Sequence, residues 1–172
     1  DNASGSSGLL EIAEAIALNP PKRSVLFVLF SGEENGFLGS GYFVDKCPVP
    51  LDSIIGMINL DMIGRTEEKF MNEGTHYICN MAGTTDYLLG FVEETNAKTY
   101  RWPLMRAVEA GSDHSSFAKR GIPSVFFYSG RHKDLHSSED DPQNIDYNKM
   151  LVITRLTYEV VWRLANNNGY KY

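Results

Sequence analysis

The sequence predicts an α/β fold with a mixed, mostly parallel central sheet and helices on both faces. The first observation is a set of three apolar runs of strand length, at 24–30, 54–60 and 124–128. The second is that segments with helical periodicity separate these runs, as in folds built from parallel strands. The third is size, because 172 residues that are 42% hydrophobic suit one domain with its own core. We therefore expect residues 1–172 to form a single domain, and we expect an upstream segment to be missing because Asp1 begins the chain within a motif.

The N-terminal part of the chain predicts a helix followed by a buried strand. Residues 1–8 are small and polar and predict a loop, after which apolar residues recur at helical spacing until Pro20 and Pro21 end the helix. Those apolar residues are Leu9, Leu10, Ile12, Ala13, Ile16 and Ala17. The run 24–30 then contains six consecutive apolar residues, several of them β-branched or aromatic, which is typical of a strand buried on both faces.

The rest of the chain continues the alternation of strands and helices. In order, the sequence predicts a short helix at 37–45, a strand at 54–60, a short strand at 76–79, a helix at 86–96, a strand at 104–108, a short helix at 115–120, a strand at 124–128 and a long helix at 147–167. The last helix carries one apolar stripe, which we expect to pack against the sheet.

Residues able to bind a metal follow the apolar runs directly. Glu33 and Glu34 come after the first run, and Asp61 closes the second. Because parallel strands end at the same edge of a sheet, we expect these three carboxylates to lie together. Such a group is costly unless a cation lies among the carboxylates, since like charges resist joint ionisation. His136 follows the third run and is a candidate for the same edge.

Carboxylates with an imidazole and without paired thiolates predict a catalytic site for zinc or a similar divalent ion. Three or four acids carry more negative charge than one ion usually needs, so two ions bridged by a carboxylate and a water fit the set better. The adjacent Glu33 and Glu34 can divide the work, because one can bind metal while the other accepts a proton.

Other functional classes match the sequence less well. A net charge of −6 and the absence of a basic stripe argue against binding nucleic acid or an anionic membrane, and the longest apolar runs are too short to span a bilayer. No strand precedes Ser7, which argues against a serine nucleophile elbow, and no phosphate-binding glycine loop occurs. A calcium-binding module would need its acids on one loop, whereas these follow separate strands. Cys47 and Cys79 allow one disulfide bridge or none.

Five stretches together resemble the zinc aminopeptidase family of co-catalytic dizinc exopeptidases, family twenty-eight of the metallopeptidases. In chain order they are DNASG at 1–5, LFSGEENGFLGS at 29–40, NLDMIGR at 59–65, GSDHSSF at 111–117 and HKDLHSSED at 132–140. The resemblance spans nearly the whole chain. It implies a zinc-exopeptidase-like fold without its first strands, an aminopeptidase acting on peptide substrates, and a periplasmic or secreted location.

The resemblance also implies a role for each candidate residue. Asp1 would bridge two zinc ions. Glu34 and His136 would bind one of these ions, and Asp61 would bind the other. Glu33 would be the general base that takes a proton from the attacking water and passes it to the leaving amine. The segment from Gly111 to His114, which includes Asp113, would line the substrate pocket, and we ourselves add Tyr128 to that pocket.

The chain departs from the family pattern in two places. The family has a further zinc-binding histidine upstream of the bridging aspartate, and because the chain begins at Asp1 no residue here matches it. Many members have a tyrosine immediately before the last histidine, where this sequence has Leu135, so we name Tyr128 as an alternative hydroxyl donor. A one-zinc acyltransferase similar to glutaminyl cyclase and a non-catalytic peptidase-like domain are the two alternatives to an aminopeptidase.

Overall fold

A computed structural model describes residues 1–67, 76–80, 86–108 and 111–167 of the chain. The helices are α1 (Ala3–Leu18), α2 (Leu38–Asp45), α3 (Asp86–Lys98), α4 (His114–Ala118) and α5 (Tyr147–Asn166). The strands are β1 (Met57–Leu60), β2 (His76–Asn80), β3 (Leu104–Val108) and β4 (Ser124–Tyr128). Apart from 24–30, each predicted element of regular structure is therefore confirmed in type, with boundaries that shift by a few residues except at the start of α1. No helix in these described ranges is long and apolar enough to cross a membrane.

The four strands form one mixed sheet in the order β1-β4-β2-β3. β1 runs parallel to β4, with Ile58 opposite Val125, and β2 runs parallel to β3. β2 is antiparallel to β4, with Ile78 opposite Phe127. Two of the three strand pairs are parallel, so the prediction of a mixed, mostly parallel sheet is confirmed.

Strand β4 has core on both of its sides because successive side chains of a strand point to opposite faces. Val125 and Phe127 are fully buried with Leu156 of α5 in the main hydrophobic cluster. Phe126 faces the other way, and its ring centre lies 4.6 Å from that of His114 on α4. A smaller cluster at α2 and α4 consists of Val44, Phe117 and Ile122. Helices therefore cover both faces of the sheet, as predicted.

The run 24–30 has no regular secondary structure and does not join the sheet, so the prediction of a strand buried on both faces is wrong. Its backbone makes no hydrogen bond to another residue within the described part of the chain, and Leu26 and Leu29 are 59% and 60% exposed. Phe30, by contrast, packs its ring against Phe43 and Phe117. A strand forms only when a neighbouring strand lies at hydrogen-bonding distance, and apolar composition does not supply that neighbour.

Helix α1 begins well before the predicted position, and its start is tied to the end of β1. The side-chain oxygen of Asn2 accepts a hydrogen bond from the Gly5 backbone N–H at 3.0 Å and so caps the helix. The same side chain donates to the Leu60 carbonyl at 3.0 Å and accepts from the Met62 N–H at 3.2 Å. The small polar residues predicted as a loop are therefore helical from position 3 onward, and they hold the chain terminus beside β1.

Candidate metal and catalytic site

The turn that carries Glu33 and Glu34 depends on glycine. The two acids begin a short 3₁₀ helix, Glu33–Asn35, that is flanked by Gly32 and Gly36 with φ angles of 68° and 87°. Glycine adopts this left-handed conformation without a steric penalty. A hydrogen bond of 2.9 Å from the Gly39 N–H to the Ser31 carbonyl closes the turn. The chain therefore turns sharply and places both glutamates just after the apolar run 24–30.

Three of the predicted metal ligands lie together. The His136 Nε2 atom is 2.7 Å from Glu34 Oε1 and 2.9 Å from Asp1 Oδ2. One ligand atom from each of the three side chains falls within 4.8 Å of the others. The three groups come from the start of the chain, a turn near position 34 and a loop near position 136, so the fold itself assembles them. Two carboxylates and an imidazole are a donor set that zinc accepts, so the residues present fit this metal.

Asp61 lies beside this trio rather than inside it. Its carboxylate oxygen Oδ2 accepts a hydrogen bond of 2.8 Å from Ser112 Oγ, which in turn accepts one of 2.7 Å from Asn59 Nδ2. Burial raises the pKa of Asp61, the Ser112 hydrogen bond opposes that rise, and the charge of Glu34 adds to it. Asp61 is therefore held in a fixed orientation, close enough to Glu34 for the two charges to interact.

Glu33 lies close enough to three other carboxyl groups of the site for their charges to act on it. Burial, and after it the neighbouring carboxylates of Asp61, Glu34 and Asp113, raise its pKa from 4.5 to about 7, and this value includes a smaller opposing effect of His136. A carboxyl group with a pKa near neutrality is suited to accept and return a proton. Glu33 is also outside the group of three ligand atoms, as a general base should be.

Unusual backbone conformations occur around the site. Four described non-glycine residues have positive φ angles, namely Phe37, Met62, Arg101 and His136. His136 is itself a candidate ligand, Met62 follows Asp61, and Phe37 closes the turn that carries the two glutamates. Such conformations cost on the order of 1–3 kcal/mol each and persist where the surrounding structure enforces them, which is common at functional sites.

The predicted substrate-pocket residues have different environments. Asp113 is buried, burial raises the pKa of its carboxyl, and its Oδ1 atom has no hydrogen-bond partner among the described residues. His114 is fully buried against Phe126, and Tyr128 is half-buried with its ring 5.2 Å from that of Phe126. A role for these three residues in substrate binding stays a prediction.

Sequence reasoning missed several residues that organise the site. Asn59 and Asn2 orient their neighbours through hydrogen bonds, and Arg65 binds the loop that carries His136. Asn59 is an amide inside an apolar strand, which was a signal that it has a buried polar partner. For Arg65 the sequence offers no such signal, because its acid partners lie 69 and 75 residues away along the chain.

A model of Peptidase family M28 matches residues 1–161. Aminopeptidase YwaD of Bacillus subtilis is 29% identical to the chain over 94% of the chain and 37% of its own length. Leucine aminopeptidase 1 of Ajellomyces capsulatus is 27% identical over 96% of the chain and 46% of its own length.

Solved structures give the same picture. The structure of BSAP, a zinc aminopeptidase from Bacillus subtilis, matches with a TM-score of 0.87 and 26% identity, covering 99% of this chain and 43% of that one. The chain therefore spans less than half the length of these relatives and of this structure.

Proposed function

The chain belongs to peptidase family M28, and we propose that it supplies a zinc site and the general base of an aminopeptidase. The observation that carries the proposal is the meeting of Asp1, Glu34 and His136 within 4.8 Å, with Glu33 beside them. The names of relatives as aminopeptidases, and of one similar structure as a zinc aminopeptidase, support the same reaction class.

Zinc would be held by the carboxylates of Asp1, Glu34 and Asp61 and by the His136 imidazole. We propose two ions, because three carboxylates exceed the charge that one ion needs and Asp61 lies beside the trio. When bound, such a pair would lower the pKa of the attacking water and polarise the carbonyl of the scissile bond. The Ser112 hydroxyl would keep one oxygen of Asp61 occupied, so that its other oxygen is presented to a ligand.

Glu33 would act on the proton. Its carboxylate would accept a proton from water as the water oxygen attacks the peptide carbonyl carbon. The same carboxyl would then donate that proton to the leaving nitrogen, which departs as an amine when the C–N bond breaks. These steps consume one water molecule for each peptide bond cleaved and return Glu33 to its carboxylate form.

The test compares the wild-type gene product that contains this chain with its Glu33→Gln variant. Both are loaded with zinc and assayed with an aminoacyl p-nitroanilide, and zinc content is measured by mass spectrometry. The turnover number should fall about 100-fold or more in the variant, since it lacks the base, while its zinc content is unchanged. Glu11→Gln, which alters an exposed glutamate on α1, serves as the matched control and should keep wild-type activity.

Three outcomes would contradict the proposal. Hydrolysis that persists in Glu33→Gln would exclude this residue as the base. Formation of pyroglutamate from N-terminal glutamine without hydrolysis would instead identify an acyltransferase. Zinc binding with neither reaction would identify a non-catalytic member of the family.

A further inference from the structure

We infer that Arg65 is a positioning residue for the metal site, because its guanidinium fixes the loop that carries His136. The inference deepens the proposed function and rests on it. Arg65 Nη2 is 2.5 Å from Asp134 Oδ2, and Nη1 is 2.9 Å from Asp140 Oδ1. Asp134 precedes His136 by two residues and Asp140 follows it by four. One guanidinium therefore holds both flanks of the loop whose imidazole contacts Glu34.

These ion pairs differ from an ordinary surface pair in their shelter from water. The side chains of Arg65, Asp134 and Asp140 are each only 13–15% exposed. The ion pair of Arg120 with Asp45 is by contrast 50% and 58% exposed. Exposed pairs are weak because water screens them, whereas a sheltered guanidinium that binds two carboxylates fixes their geometry.

Arg65 is attached to a firmly held part of the backbone. It follows β1, where the Ile63 N–H donates to Ser4 Oγ at 3.1 Å and the Gly64 carbonyl accepts from the Asp146 N–H at 2.8 Å. This backbone is therefore tied to α1 and to the start of α5, and the guanidinium extends that anchoring to the loop.

The His136 loop, defined as residues 131–141, has mainly local hydrogen bonds of its own. The Ser137 N–H donates to the Asp134 carbonyl at 3.1 Å, and the Leu135 N–H donates to the His132 carbonyl at 3.2 Å. These bonds shape a turn but do not set its position over the sheet. His136 also has a left-handed φ of 58°, a conformation that must be enforced from outside. The two ion pairs with Arg65 contribute to that enforcement, together with the contacts of His136 with Asp1 and Glu34.

The experiment compares Arg65→Met with Arg120→Met, a matched loss of one arginine at an exposed ion pair. The first measurement is the zinc dissociation constant, by competition with a chromophoric chelator. The second is amide hydrogen exchange across the His136 loop in zinc-free protein. Arg65→Met should weaken zinc binding about 10- to 100-fold, as loss of a group that orients a metal ligand does. Exchange in the loop should become about tenfold faster, since the closed conformation loses its anchor. Arg120→Met should change neither measurement more than about twofold.

Further variants separate positioning from general stability. Arg65→Met leaves Asp134 and Asp140 without their shared guanidinium partner, so a triple variant adds Asp134→Asn and Asp140→Asn to recover the melting temperature. Zinc binding that stays weak in the stable triple variant supports the inference. Recovery of wild-type zinc affinity in the stable triple variant would overturn the inference. Arg65→Lys should give intermediate zinc affinity, because an ammonium cannot bind both acids in the same geometry.

The two proposals can fail separately. If the wild-type protein binds no zinc, the proposed function fails. The exchange measurement then still decides the role of Arg65, because it uses zinc-free protein. Loop exchange that is equal in the wild type and in Arg65→Met overturns the inference, whatever the zinc result.

Discussion

Glu33 should reduce the stability of the metal-free fold, and Glu33→Gln should therefore make the protein more stable. Burial and three neighbouring carboxylates raise the pKa of Glu33 from 4.5 to about 7. A rise of this size corresponds to at most about 3 kcal/mol, since each pH unit is worth about 1.4 kcal/mol. Because the side chain is only partly buried, water screens part of this energy, and about 1–2 kcal/mol is the expected effect.

The effect has a defined pH window. Below pH 4.5 Glu33 is protonated in both the folded and the unfolded protein, so its charge costs nothing. Between pH 4.5 and 7 the unfolded chain loses this proton more readily than the folded one, and the wild type loses stability relative to the variant. Above pH 7 the difference is complete and stays constant.

Urea unfolding in the presence of a chelator measures this difference. The free energy of unfolding is compared for wild type and Glu33→Gln at intervals from pH 4 to 8, with Glu11→Gln as the exposed control. The control should follow the wild type at every pH. A Glu33→Gln curve that runs parallel to the wild type through the whole range would refute the assignment of Glu33 to the centre of the acidic cluster.

Three other changes test the fold. Burial lowers the pKa of Lys149 from 10.5 to about 8. The free energy of unfolding of the wild type should therefore rise by up to about 3 kcal/mol relative to that of Lys149→Met between pH 8 and pH 10.5, as measured by urea unfolding. The same pH dependence of unfolding free energy in both proteins would contradict this. Leu156→Ala should lower the free energy of unfolding by about 2–5 kcal/mol, as measured by calorimetry. Leu151→Ala, at an exposed position on the same helix, should lower it by about 0.5 kcal/mol or less. Similar losses in the two variants would show that the packing of α5 is described incorrectly. A Cβ at Gly5 would lie 2.3 Å from the Leu60 carbonyl oxygen, so Gly5→Ala should destabilise the protein by about 1–3 kcal/mol. Gly41 in α2 has open space around its Cα, so Gly41→Ala should stabilise the protein by about 0.5–1 kcal/mol. Equal melting temperatures of the two variants would contradict the close approach of α1 to β1.

The parts of the fold that could be predicted are those whose information is local. The apolar stripe of α5 repeats at helical spacing, and burial of Ile153, Val160 and Leu164 follows from it directly. The position of Asp61 at the end of β1 follows from an apolar run that stops at an acid. These features need no knowledge of distant residues.

The features that sequence reasoning missed depend on contacts between distant segments. Whether the run 24–30 becomes a strand depends on a neighbour that its own composition does not reveal. Asn2 starts α1 earlier than expected because its side chain also binds Leu60 and Met62, about 60 residues away. Arg65 meets Asp134 and Asp140 across 69 and 75 residues, and no local pattern marks such a pairing. The candidate ligands could be named from motifs, but the residues that orient them could not.

X-ray anomalous scattering at the zinc edge, from crystals of the zinc-loaded protein, tests the central claim most directly. We expect a zinc peak within about 2.0–2.2 Å of one oxygen of Asp1, one oxygen of Glu34 and one nitrogen of His136, with Glu33 not coordinated. No peak at this position, or zinc bound instead at His114 or His132, would contradict the account.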